Sequence, residues 1–248
     1  MIEGLVVEPM TESLLLWRCL HHGPLSRDTI DRWPAGGEVP WERCRERNLP
    51  LLAKLTRTYG ACAIVARDGG RIVGHLRFYP KAVSAMKDAG CLCLQQDYPA
   101  GPAESFADTT FPPPEQIEDR TLVVHCLMAG SSLHKENPYR RKGLGTRMAK
   151  TLIEWAKAHG WRHIEVDSFE DLPIIYQVSG SAGHTFWEKL GFRVVDRHPH
   201  PYLQEPSEFR TTLEEQAKSC GISPERARDQ LVMRLDMSGE VSSLKCQV

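Results

Sequence analysis

The chain has 248 residues, 41% of them hydrophobic and 25% charged, a balance that speaks against a disordered, fibrous or membrane-embedded class and leaves room for one large domain or two small ones. Lysine and arginine total 31 against 32 aspartates and glutamates, a formal net charge of -1, so no global field draws the protein onto nucleic acid or an anionic membrane and any anion recognition must be local. No apolar stretch approaches the roughly 20 residues that span a bilayer, and the opening MIEGLVVEPMTE lacks the charged-then-apolar layout of an export signal, which makes a cytoplasmic location the expectation.

In chain order, IEGLVVE at 2–8 reads as a short first strand. TESLLLWRCL, from 11, opens with a Ser/Thr-Glu type start and carries a leucine-rich face, which predicts a helix. A second helix is expected over about 40–59, with Trp41, Leu49, Leu52 and Leu55 toward the core. ACAIVA, the turn RDGG and RIVGHLRFY form a hairpin, because Asp68-Gly69-Gly70 supplies the positive-φ positions of a tight turn. Residues 81–118 hold Pro102, Pro112, Pro113 and Pro114 and show neither helical nor strand periodicity, so a substrate-side loop and a tolerated surface insertion both fit.

TLVVHCLMA, 121–129, is a continuous apolar run suited to a central strand. Leu144, Met148, Leu152 and Trp155 then recur at helical spacing up to Gly160, a C-terminal stop. HIEVDS at 163–168 is a strand, AGHTFWEKLGF at 182–192 a short helix closed by Gly191, and FRVVDR a further strand. Residues 199–230 hold a proline-rich turn and two polar helical pieces, and LVMRLDM at 231–237 closes the chain order as a last strand. The alternation predicts a single α/β domain over 1–248 around one mixed sheet.

Eight cysteines, at 19, 44, 62, 91, 93, 126, 220 and 246, are expected to be reduced thiols. Cys91 and Cys93 make a CxC, and His21 and His22 follow Cys19, but no paired CxxC or HxxxH spacing occurs, so no metal site is expected.

The segment NPYRRKGLGTRM, 137–148, places two glycines behind three cations and at the head of a helix. It lacks the GxxxxGK[ST] of a nucleotide loop, and Met148 stands where a dinucleotide fingerprint needs a third glycine. What remains is a strand, a turn and a helix whose first N–H groups point outward, an anion socket by geometry; the plainer alternative is that Gly143 and Gly145 only ease a tight turn.

Arg140, Gly143 and Gly145 spell RxxGxG, and FWEKLGF follows at 186–192. Together with the strand order, the hairpin DGGRIVGHLRF and the closing LVMRLDM, these motifs resemble the GNAT superfamily of N-acetyltransferases, whose acetyl-CoA signature is [Q/R]xxGx[G/A]. The resemblance implies a mixed, mostly antiparallel sheet flanked by helices, with insertions at about 81–118 and 199–230. It implies direct acetyl transfer from acetyl-CoA to a primary amine in a ternary complex, the acceptor being a small molecule, an amino acid or a peptide lysine. A homodimer fits as well. The pyrophosphate falls to Arg140, Arg141, Lys142, Gly143, Leu144, Gly145 and Thr146, and the pantetheine arm to backbone groups of Leu127 and Met128.

For proton transfer, the family often uses a glutamate on the central strands, which 121–128 lacks; His125, Glu165 and Asp167 are the candidate bases. The thiolate's proton commonly comes from a tyrosine at the second position of the FYEKLGF-type motif. Trp187 stands there, and indole is no acid near neutral pH, so Tyr176 leads the substitutes, with Ser181 and His184 beside it, or water assists. Cys126 as an acetyl acceptor in a ping-pong route is a further alternative. Trp187 and the missing glutamate also motivate a CoA-binding module without catalysis, and a plain interaction domain is the third reading. Trp33, Trp41 and Tyr98 are candidate linings of the acceptor pocket.

Overall fold

A computed structural model describes residues 4–18, 20, 25–26, 41–84, 110–130, 137–177 and 181–237. Strands β1 (Leu5–Pro9), β2 (Leu25–Ser26), β3 (Ala63–Asp68), β4 (Arg71–Pro80), β5 (Thr121–Ala129), β6 (His163–Ser168), β7 (Arg193–Pro199) and β8 (Asp229–Asp236) form one open sheet in the order β1-β3-β4-β5-β6-β8-β7, with β2 paired to β4. Every pairing is antiparallel except that of β5 with β6. The helices are α1 (Trp41–Tyr59), α2 (Lys81–Ser84), α3 (Leu144–Ala158), α4 (His184–Glu188), α5 (Pro201–Gln204), α6 (Glu208–Ser219) and α7 (Pro224–Ala227). The mixed, mostly antiparallel architecture is the expected one. Among the described residues no helix is long and apolar enough to cross a membrane.

Helix α3 owes its place to one stripe: Leu144, Met148, Ala149, Leu152, Trp155 and Ala156 are buried, and the helix packs on β1, β3, β4 and β5. Gly74 lets it approach, since a Cβ there would stand 3.2 Å from Met148 Sδ and 3.1 Å from the Met128 carbonyl. Beyond the last turn Gly160 adopts φ 71°, and the Trp161 N–H reaches back to the Ala156 carbonyl at 3.0 Å, which stops the helix where the sequence places the stop. Phe78 of β4 meets Trp155 of α3, ring centroids 5.0 Å apart; Tyr79, the next residue, therefore faces the other side of the sheet.

One expected helix does not form. Residues 11–18 run as turns and irregular chain, although Leu16, Trp17 and Leu20 are buried. The backbone is satisfied by other means: the Leu16 carbonyl accepts from the buried Arg77 guanidinium, the Trp17 carbonyl from Asn48 at 3.0 Å, and the Leu16 N–H lies 3.3 Å from Met10 Sδ. These tertiary bonds replace the intrahelical ones that the leucine spacing suggests. The hairpin, α1, β5 to β8 and the helical character of 199–230 follow the expectation. Trp33, Tyr98, Cys91, Cys93 and most of the 81–118 segment lie outside the described residues, as does the side chain of Trp41.

A second, smaller core forms where α5, α6 and α7 fold back: Leu203, Leu213, Ala217 and Ala227 pack with Leu172, Ile174 and Ile175, and Phe169 leans on them. Leu152→Ala, at a site 1% exposed, leaves a cavity under the sheet and is expected to cost about 2–5 kcal/mol, read as a lower midpoint in a urea titration with an unchanged slope.

Candidate active site

The turn into α3 is shaped by two left-handed residues, Arg141 at φ 58° and Gly143 at φ 77°. Left-handed positions alternating with ordinary ones aim successive N–H groups into one concavity. The Arg147 N–H makes a bond to the Gly143 carbonyl at 3.0 Å, and no side chain caps the helix, so the N–H groups of Leu144, Gly145 and Thr146 have no intrahelical acceptor. Arg140, Arg141, Lys142 and Gly143 are exposed, and nothing lies within 4 Å of a Cβ built at Gly143. Among the described residues the three cations form no ion pair, which leaves their charge, and the helix dipole, directed at solvent.

Two residues that the sequence reading passed over hold this turn. Asn137 donates to the Ala129 carbonyl at 2.6 Å and accepts from the Tyr139 N–H at 3.0 Å, while the Tyr139 hydroxyl donates to Asp68 at 2.7 Å. The socket is thereby tied to the end of β5 and to the β3–β4 hairpin. Gly130 makes room for it: its φ is 79°, and a Cβ there would fall 2.1 Å from Asn137 Oδ1. The glycine and asparagine were visible as residue types, but only the strand end beside them gives them a task.

Next to the socket the sheet opens. β5 pairs with β6 from Thr121↔His163 to Val124↔Val166 and no further, although β5 continues to Ala129. At that level β5 carries a bulge, because Phe78 pairs with Val124 and Arg77 with Cys126, leaving His125 as the extra residue. The bulge resets the alternation, so Val124 and Leu127 share the α3 side while His125 lies on the other, its ring 5.9 Å from that of Tyr79. The Gly130 N–H donates to the Val73 carbonyl at 2.7 Å. Counting back by the antiparallel alternation, the peptide groups of Met128 and Cys126 turn to β4 and those of Leu127 and Ala129 turn to the opened side. A Cβ at Gly145 would stand 3.8 Å from Leu127 and 3.7 Å from Phe186 of α4, so the opened strand, the socket and α4 meet at one point.

The candidate bases are not equivalent. Glu165, 5% exposed, receives Lys81 at 2.8 Å and a two-point contact from Arg234. Burial alone would raise its pKa, but the hydrogen bonds and charges of Lys81 and Arg234 outweigh that and hold it below its ordinary value. It is a structural carboxylate with both oxygens engaged. Asp167, two residues on and on the same face, is exposed and has no ion pair among the described residues. His125 and Asp167 thus flank the mouth of the opening on the face away from α3.

After β6 the chain folds into a polar knot. The Tyr176 hydroxyl donates to Asp171, whose other oxygen accepts the Thr185 N–H at 2.9 Å; His184 Nδ1 stands 3.8 Å from Asp171. Burial and then Asp171 push the Tyr176 phenol up to about 12. The neighbouring Glu170, 3% exposed, accepts from Arg226 of α7 at 2.7 Å and from Arg197 of β7 at 3.1 Å, and the Ile174 N–H donates to Gln216 of α6 at 2.9 Å. Trp187 is 1% exposed, between Phe186 and Phe192, and belongs to the core rather than to the mouth of the site. Cys126 is buried on the strand.

Comparison with known proteins adds one family. The model of the acetyltransferase (GNAT) family matches residues 25–192, more than half of the chain. No curated protein matches at a significant level. Among solved structures, the IAA acetyltransferase from Bacillus cereus is similar with 12% identity and a TM-score of 0.44, covering 94% of this chain and 99% of that one. A GNAT family acetyltransferase from Elizabethkingia anophelis with acetyl-CoA bound has 12% identity and a TM-score of 0.42, covering 95% and 100%. An N-acetyltransferase from Staphylococcus aureus has 11% identity and a TM-score of 0.47, covering 94% and 98%.

Glu165 gives a pH signature. Its ionised form is the bonded one, so its contribution to stability is complete above its ordinary value of 4.5 and is lost as the pH falls through the lowered value of the folded state. Glu165→Gln is expected to be less stable than the wild type near about pH 7 and to approach it only as the pH falls below the lowered folded-state value, as compared by denaturant titration over a descending pH series.

Proposed function

Because the chain belongs to the acetyltransferase (GNAT) family, we propose that it transfers the acetyl group of acetyl-CoA to a primary amine, directly between two bound substrates. The observation that carries this reading is the meeting, at Leu127, Gly145 and Phe186, of a helix start ready for an anion with a strand whose outward peptide groups have no neighbouring strand. Acetyl-CoA supplies the activated thioester. Leu144, Gly145 and Thr146 offer N–H groups to its pyrophosphate, with Arg140, Arg141, Lys142 and Gly143 completing the cradle. Leu127 presents its peptide group to the pantetheine arm, while Met128 keeps the strand fixed to β4.

The amine approaches on the face that carries His125 and Asp167. His125, on the bulge, takes the proton that the ammonium must lose, and N–H groups of the opened strand hold the thioester oxygen as negative charge builds there. Asp167 is the counter-charge for the incoming cation. Glu165, held ionised by two cations, stays out of the proton path. Tyr176 keeps its proton and fixes Asp171, so the departing thiolate draws its proton from water. The segments at 81–118 and 199–230 are read as insertions in one domain. A CoA-binding module without catalysis is the second reading, favoured by the engagement of Glu165 and the burial of Trp187.

Two measurements test this. Calorimetric titration with acetyl-CoA should show saturable binding that Gly145→Asp weakens at least about tenfold, with little change in melting temperature, because a Cβ at 145 makes only ordinary contacts. Thiol release across a panel of primary amines should detect turnover in the wild type, with His125→Gln reducing kcat about 100-fold. Binding without turnover on a broad panel leaves only the module reading.

A further inference from the structure

The insertion between β7 and β8 returns to the sheet on the face where the acceptor is read to enter. Phe169 follows Asp167 by two residues, just past the end of β6, and packs on the insertion's own core. At the start of the insertion the His200 ring stands edge-on to Phe169, centroids 5.4 Å apart, and Tyr202 follows at 5.8 Å from His200. Asp167 is near enough to His200 to act on its titration, yet burial dominates and keeps the imidazole's pKa below its ordinary value, so the ring does not neutralise the carboxylate near pH 7. Tyr202 is 70% exposed, the most open large hydrophobic side chain among the described residues. An exposed carboxylate with no ion pair among the described residues, near His200 and followed through that ring by the open Tyr202 ring, is an arrangement that attracts an organic cation, by charge and by the negative face that Tyr202 leaves exposed.

We propose that Asp167, Phe169, His200 and Tyr202 form an acceptor subsite that binds a second ammonium group, so that the preferred acceptor is an alkyl diamine rather than a monoamine. The inference rests on the acetyltransferase reading for its meaning but not for its test. In the reaction, one amine of the acceptor reaches His125 at the opening while the other is held between Asp167 and the Tyr202 ring. The insertion is tied down on both sides, since Arg226 and Gln216 bind it to Glu170 and Ile174 of the loop that follows β6.

The test is direct binding of 1,4-diaminobutane and of butylamine to the full chain, by calorimetry, in the wild type, Asp167→Asn and Tyr202→Ala, with acetyl-CoA affinity measured on the same samples. Both substitutions are at exposed positions, and retained acetyl-CoA affinity reports an intact fold. The expected result is a preference of about tenfold or more for the diamine in the wild type, largely lost in Asp167→Asn and reduced in Tyr202→Ala. Equal affinity for the two amines in the wild type, or a preference that survives both substitutions, overturns the subsite. A wild type that prefers the diamine but ignores acetyl-CoA supports the subsite and refutes the acetyltransferase reading, so the two failures are distinguishable.

Discussion

Past Val124, β5 stops pairing with β6. The bulge at His125 turns the strand, its pairing with β4 continues, and the pairing with β6 ends. A peptide group kept from water and left unpaired costs about 1–3 kcal/mol, so the groups released on the open side must find other partners. The Ala129 carbonyl finds Asn137. That one bond demands glycine at 130, orients the Tyr139 N–H and seats the turn that exposes the first amides of α3. Leu127, one step back, has no strand partner on that side among the described residues. The break in the sheet and the socket beside it are thus one construction.

The carboxylates around this opening divide into those held by ion pairs and one left exposed to solvent. Glu165 and Glu170 are buried, each held by two cations, and both are kept ionised against the effect of burial. Such carboxylates are costly to disturb and poor at exchanging protons. Asp167, between them in sequence, is exposed and has no ion pair among the described residues. Strand alternation puts Glu165 and Asp167 on one face, but their depth in the fold differs, and depth decides the role.

The sheet, α3 and the RxxGxG turn were legible because each depends on local signals: an apolar run, a 3.6-residue stripe, glycines where φ is positive. The helix expected from residue 11 was not, because its carbonyls are taken by Arg77 and Asn48, far away in sequence. The same holds for the site. Arg140 to Thr146 follow from a contiguous motif. The engagement of Glu165 depends on Lys81 and Arg234, far away in sequence, which leave no mark in the local pattern, whereas the rings that pack Trp187, Phe186 and Phe192, stand in the same short stretch. The bulge at His125 could be read from neither composition nor periodicity, since TLVVHCLMA looks regular until its partner strand is known.

Glu170 has a consequence for how such a chain can change over time. Its carboxylate, 3% exposed, belongs to the loop after β6, while the guanidinium groups that hold it come from β7 and from α7. Shedding the helices between β7 and β8 would remove Arg226 and uncover Glu170, leaving Arg197 of β7 as its guanidinium partner. A different segment in that place would have to bring Glu170 either a cation or water, so the helices and the acid they cover constrain each other's chemistry.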